Sequence, residues 1–183
     1  WILAHRILRS QSALMRIAAI DVGTNTAQLL VADVADGAIV RRVHTAERFV
    51  RLGEGVDAHG RIGPAAIERL VGALRDQRAQ AEAHGAQHIT VGATSASRDA
   101  ANRQAVAETV RQKTGLPYEI LSGDEEATWT FAAACDEHPD RTGPTVVIDI
   151  GGGSTEIIAG RGGAIGPAAV RFRCSLDIGS VRL

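Results

Sequence analysis

Two short apolar runs in this chain end in an aspartate and a glycine-bearing turn, and each turn leads into a second β-like run. The first is IAAI (residues 17–20), followed by Asp21, Val22, Gly23, Thr24, Asn25 and Thr26. The second is TVVI (residues 145–148), followed by Asp149, Ile150, Gly151, Gly152, Gly153, Ser154, Thr155 and Glu156. Each run reads as a buried strand, and each glycine turn lets backbone amides approach an anion closely. A dinucleotide-binding turn would lead into a helix instead. An acid at the carboxyl end of a strand stands where open α/β sheets bind ligands. Taken singly, either aspartate could be a solvated turn residue. Two hairpins of matching build, far apart in the chain, predict a metal–phosphate site assembled between them, with Asp21 and Asp149 holding Mg2+ directly or through water.

The remaining pattern fits an α/β chain. Strands are expected at 16–21, 27–34 and 38–50, the last two joined at the turn signal Asp36–Gly37. A helix from Pro64 to about His84 carries a stripe of Ile67, Leu70, Val71 and Leu74 and is closed by Gly85. A strand at 87–92, a helix at 98–113 closed by Gly115, a short strand at 117–121 and a helix at 122–135 follow. The second hairpin and a last strand at 164–173 complete the order β-β-β-α-β-α-β-α-β-β-β, which gives a mixed sheet flanked by helices.

Composition narrows the class. A chain of 183 residues, 45% hydrophobic and 22% charged, has the balance of a soluble globular protein with one ordinary core. A net charge of −1 argues against a dedicated nucleic-acid binder. Lys113 is the only lysine, so the positive charge is almost all arginine, which suits bidentate phosphate contacts. Cys135 and Cys174 suggest neither a disulfide nor a zinc framework, and the histidines are read as no metal-ligand set. No apolar run reaches the ~18 residues of a membrane span, so no membrane partner is expected and the cytoplasm is the default location. Residues 1–14 precede Met15 and read as a non-native extension.

Three further segments could carry chemistry. Asp124, Glu125 and Glu126 open a helix, where the helix dipole favours acids. Glu125 and Glu126 point roughly 100° apart, so at most one faces a given pocket. Thr94 and Ser95 follow a strand and open a helix, an arrangement that can bind an anion, with Arg98 as a charged clamp. Arg51 and Glu54 lie in a glycine-flanked loop that could cover a polyanion. Trp129 and Phe131 read as core.

Together these segments resemble the exopolyphosphatase/guanosine pentaphosphate phosphohydrolase (Ppx/GppA) family. The matching stretches are AIDVGTNTAQLL (19–30), RLGEG (51–55), ATSASRDAANR (93–103), LSGDEEA (121–127), VIDIGGGSTEI (147–157) and SLDIGSVRL (175–183). The glycine-rich hairpin alone would indicate only the wider sugar kinase/Hsp70/actin superfamily; the other stretches narrow it. The resemblance implies an actin-like, ribonuclease-H-like fold of two lobes. It implies removal of the terminal phosphate of inorganic polyphosphate or of pppGpp, with Mg2+ or Mn2+. Glu126 is then the general base. Asp149 and Glu156 bear on metal and water, and Asp21 joins them. Gly151, Gly152, Gly153, Ser154 and Thr155 bind phosphate, as do Asp21, Gly23, Thr24 and Asn25 of the first loop and Thr94 and Ser95. Arg98 is the phosphate clamp.

DVGTNT departs from the commoner DxGSN form while keeping a hydroxyl. Family members continue well beyond SLDIGSVRL. The expected organisation is therefore an extension at 1–14, a first actin-like lobe at 15–172 and the start of a second lobe at 173–183, with a homodimer conceivable for the full-length protein. Two other readings belong to different classes: a module that binds polyphosphate or (p)ppGpp without turnover, and an ATP-using relative, against which the DEEA and SRDAANR segments count.

Overall fold

The computed structural model describes residues 14–36, 38–138, 140, 142–163 and 169–180. Nearly all of the expected extension, Gly37 of the first hairpin turn, the first part of the expected strand at 164–173 and residues 181–183 lie outside the described residues.

Strands β1 (Met15–Val22), β2 (Thr26–Ala35) and β3 (Ala38–Phe49) form an antiparallel meander in which Asp21 stands opposite Gln28. Strand β4 (His88–Ala93) pairs in parallel with β1, and β5 (Glu119–Ile120) in parallel with β4. The result is a five-stranded mixed sheet in the order β3-β2-β1-β4-β5. Helices α1 (Val56–His59), α2 (Pro64–Ala83), α3 (Ser95–Asp99), α4 (Arg103–Thr114) and α5 (Gly123–Glu137) connect and flank the strands.

The unbroken apolar run of β1 follows from burial on both faces. Ala18, Ile20 and Val22 join Leu70 and Leu74 of α2 and Val110 of α4 in one core, while Ile17 and Ala19 join Leu30 and Leu121 in another. The α2 stripe is as expected except that Ile67 is only partly buried and Ala66 takes the inner place. Asp33 on β2 is buried yet satisfied: Arg16 and Arg41 each donate two hydrogen bonds to it, at 2.7 and 3.1 Å and at 3.0 and 2.8 Å. Those donors hold its carboxyl down at about 2.

The helix expected at 98–113 is two helices. Ala100 adopts an extended conformation, ending α3. Beyond it, Asn102 accepts a bond from the Ile62 amide at 3.0 Å and donates one to the Ile62 carbonyl at 2.9 Å. Ala101 N–H donates to Gly60 at 2.8 Å. These long-range bonds to the loop before α2 replace the helical ones, so the chain turns there.

The second hairpin belongs to a separate sheet. Strands β6 (Gly143–Ile150), β7 (Thr155–Gly162) and β8 (Val170–Leu176) form a second antiparallel meander in the order β6-β7-β8, and β8 runs across position 173. Helix α5 covers one face of it. Phe131 is fully buried with Ala127, Ile158 and Ala169. A Cβ on Gly160 would lie 2.7 Å from the Phe131 ring, so glycine on β7 is what admits that ring. Truncating Phe131 to Ala would cost about 3–5 kcal/mol. The outer face of β6 leaves Val146, Ile148 and Ile150 exposed. Trp129, by contrast with Phe131, is only partly buried.

Candidate functional site

The two glycine turns close in the same way. Gly23 N–H donates to Thr26 O at 2.9 Å, and Gly151 N–H donates to Ser154 O at 2.9 Å. They also pack against each other. A Cβ on Gly153 would lie 2.8 Å from Thr24 Oγ1, and one on Gly152 would lie 3.2 Å from Asn25 Cβ. A Cβ on Gly153 would force the Thr24 side chain to shift and one on Gly152 would press on Asn25, so the glycines let the second turn come close to the first. The hairpins from different sheets are thus neighbours.

Between them lies a cleft of about 530 Å3. Asp21, Gly23, Thr24 and Asn25 line it from the first turn, and Asp149, Gly151, Gly152, Gly153, Ser154 and Glu156 from the second. Thr94 and Ser95 enter from the β4–α3 junction and Glu126 from α5. Glu156 stands directly across the hairpin from Asp149 and accepts a hydrogen bond from Ser175 Oγ at 3.0 Å.

The choice between Glu125 and Glu126 is settled by helix capping. Ser122 caps α5, accepting from Glu125 N–H at 3.2 Å, while Glu125 Oε2 accepts from Ser122 N–H at 3.0 Å. Glu125 is therefore occupied in a reciprocal capping box. Glu126, one residue on, is buried and lines the cleft.

Four residues named from the sequence fall outside the cleft wall. Arg98 lies behind Glu126, donating to Glu126 Oε2 at 2.7 Å and to Leu121 O at 3.3 Å. Thr155 turns away and donates to Ile178 O at 2.6 Å. Neither Arg51 nor Glu54 is part of the wall; Glu54 accepts from Arg69 at 2.6 Å.

Several cleft residues were not anticipated. Gln28 could have been found from strand register, since it faces Asp21 across the hairpin. Thr130 could have been found from helical spacing, one turn beyond Glu126. Its Oγ1 is buried without a hydrogen-bond partner. Glu137 lies further along the same helix, where Arg42 donates to it at 2.8 Å. Ser180 had no local signal.

The electrostatics are those of crowded, dehydrated carboxylates. Burial, reinforced by the charges of Glu156 and Asp21, pushes the Glu126 carboxyl up to about 7 against the pull of Arg98. Burial and the neighbouring Asp149 push Asp21 to about 6, and burial with Glu156 also raises Asp149. Asp21 Oδ1 is buried with no hydrogen-bond partner. A cation would relieve all of these at once, so the donor set fits a hard divalent ion. Among the described residues no three His, Cys, Asp or Glu side chains are grouped to hold a metal unaided. A Mg2+ ion here would be held by one or two of these carboxylates and would need waters and substrate phosphates to complete its shell. His84 and His88, four residues apart, lie on different elements: His84 ends α2 and stacks on His44 at 4.1 Å, and His88 begins β4. Among the described residues no helix is long and apolar enough to cross a membrane.

Comparison with known proteins is consistent across sequence and structure. The model of the Ppx/GppA phosphatase family matches residues 30–183. Exopolyphosphatase 2 of Mycobacterium tuberculosis is 43% identical over 179 residues, an alignment covering 93% of this chain and 54% of that protein. Among solved structures, a Ppx/GppA family member from Aquifex aeolicus superimposes with a TM-score of 0.76 at 29% identity, covering 91% of this chain and 52% of its own. An exopolyphosphatase from Cytophaga hutchinsonii gives 0.82 at 28% identity, covering 92% and 52%. The chain spans about half the length of the relatives it matches. The fold is of the actin-like class, a mixed sheet flanked by helices.

Proposed function

This chain belongs to the Ppx/GppA phosphatase family, and from that premise we propose that its cleft is the catalytic centre of a phosphoanhydride hydrolase. The substrate is the terminal phosphate of inorganic polyphosphate, with pppGpp as a second substrate of the same chemistry. The observation that carries the reading is the placement of Glu126: a carboxyl pushed to about 7, opening into a cleft walled by two glycine turns. A general base poised near neutrality is what activation of water requires.

In this reading a water oxygen attacks the terminal phosphorus, the bridging P–O bond breaks, and the water proton passes to Glu126. The products are orthophosphate and a chain one unit shorter. Backbone amides of the two turns and the hydroxyls of Thr24, Ser95 and Ser154 surround the phosphate oxygens. Phosphoryl transfer depends chiefly on such positioning and electrostatic stabilisation. One or two of Asp21, Asp149 and Glu156 would hold Mg2+ or Mn2+, with waters and substrate phosphates completing its shell, and the ion would supply charge neutralisation for the phosphates. Ser175 keeps Glu156 oriented through the bond to Oε1. Arg98 acts through Glu126, holding the carboxylate and restraining its pKa.

The test is divalent-ion-dependent release of orthophosphate from polyphosphate and from pppGpp, by this chain and by the full-length protein, with Glu126→Gln alongside. Release that collapses in the variant supports the reading. Tight binding of either substrate without release in both forms would replace it with a binding module. ATP turnover in place of both would favour an ATP-using relative.

A further inference from the structure

Each glycine turn is backed by the loop that follows the third strand of its own meander. After β3, Val50 and Arg51 donate backbone N–H groups to Asn25 O, both at 2.9 Å, and Gly53 N–H donates to Thr24 O at 3.0 Å. After β8, Ser180 donates to Gly151 O from its backbone N–H at 2.9 Å and from its hydroxyl at 3.3 Å. Thr155 Oγ1 ties the same loop down through Ile178 O at 2.6 Å. Both loops contain a glycine in forced contact with the turn. A Cβ on Gly53 would lie 2.4 Å from Thr24 Cγ2, and one on Gly179 would lie 2.5 Å from the carbonyl carbon and oxygen of Gly152 and from the nitrogen of Gly153. The first obstacle is the end of a side chain. The second is backbone, which cannot rotate aside.

We infer that residues 177–180 are a positioning brace for the second glycine turn, with Gly179 and Ser180 as the residues that keep it in its anion-binding shape. The inference rests on the phosphohydrolase reading for the identity of the anion. Three successive glycines have more backbone freedom to lose than any other tripeptide, so the turn does not hold one conformation by itself. In a trans peptide the carbonyl of Gly151 and the N–H of Gly152 point to opposite sides. Holding that carbonyl toward Ser180 therefore fixes the direction of the Gly152 amide. Gly179 packs on the next peptide, so rotation of the Gly152–Gly153 unit meets its backbone. From the other side the turn meets Thr24 and Asn25. The turn is clamped between the first hairpin and this brace.

The test uses Ser180→Ala, Ser180→Pro, Ser180→Thr and Gly179→Ala, with Gly72→Ala as a control because a Cβ there meets nothing within 4 Å. Two readouts are taken on the whole chain: amide NMR signals and hydrogen exchange of residues 151–153 without ligand, and calorimetric binding of inorganic tripolyphosphate. The expected result is faster exchange and shifted signals at Gly152 and Gly153 in Ser180→Ala, Ser180→Pro and Gly179→Ala. Tripolyphosphate affinity falls about tenfold, the value of one charge-assisted hydrogen bond lost. Ser180→Thr restores both readouts, and Gly72→Ala changes neither. If Gly179→Ala does not fold, the exposed Ser180 decides alone through Ser180→Pro, which removes its backbone donor together with its hydroxyl. Unchanged turn amides in both Ser180→Ala and Ser180→Pro, the second of which also removes the backbone donor, would overturn the brace. Turn amides that move in a protein whose wild type binds no tripolyphosphate would support the brace and overturn the phosphate reading.

Discussion

Arg98 Nη1 donates to Glu126 Oε2 at 2.7 Å, from the side of the carboxylate away from the cleft. This cation, in contact with the candidate base, therefore opposes a rise in pKa that burial and two neighbouring acids impose. The balance leaves the carboxyl at about 7, where it is half ionised at neutral pH.

Glu126→Gln keeps the shape and an oxygen for Arg98 while removing the base. Phosphate release should fall by at least about 10²-fold, and the acid limb of the wild-type rate profile should lie near 7. Stability should move the other way. A carboxyl whose pKa rises on folding takes up protons between its ordinary value and about 7, so stability falls as pH rises through that window. The variant should melt above wild type at pH ~8 and lose the advantage near pH ~4. Circular dichroism melts at the two pH values check this, and an identical gap at both would contradict it.

Arg98→Met removes the influence that lowers the Glu126 pKa. The acid limb of kcat/KM should move to higher pH, with Arg98→Lys falling between. A lower rate with an unmoved limb would show that Arg98 acts on the substrate rather than through Glu126.

The crowding of Asp21, Asp149 and Glu156 predicts opposite effects of one substitution with and without metal. In EDTA, Asp149→Asn should melt above wild type, because a half-buried like charge is removed. With Mg2+ at 100 times its dissociation constant, wild type should gain about 2.7 kcal/mol, and the variant should gain much less. Melting curves across a Mg2+ titration give both numbers. A wild type indifferent to Mg2+ and Mn2+ would remove the metal from the proposal.

Thr130 lines the cleft with a buried, unpartnered hydroxyl. Thr130→Val replaces it with a methyl group of the same shape and should stabilise the chain by about 1 kcal/mol, the saving in hydroxyl desolvation. Urea unfolding measures this. Destabilisation by a similar amount would show that the hydroxyl is hydrogen-bonded in solution.

The parts of this molecule that were legible in the sequence are those whose cause is local. Asp21 and Asp149 are marked by the apolar runs before them and the glycines after them, and the structure brings both into one cleft. The capping box was also readable, since Ser122 and Glu125 stand three apart, and it would have singled out Glu126. The break at Ala100 was not readable, because its cause is Asn102 reaching Ile62 across forty residues. The separate second sheet was hidden for a similar reason: a strand pattern states which residues alternate, not which strand they pair with. Arg98 was recognised as a charged group near the site, but its direction depends on how α3 and α5 pack.

Asp21 and Asp149 end strands of two different hydrogen-bonded ladders, and the cleft lies on the seam between them. Neither ladder owns the chemistry. Sliding one past the other by an ångström or so would scatter the carboxylates and amides while breaking no strand pairing, and misplacement on that scale costs on the order of 10²-fold in rate. The proposed catalysis would thus be more fragile than the fold: a stress too mild to register in secondary structure would already silence it.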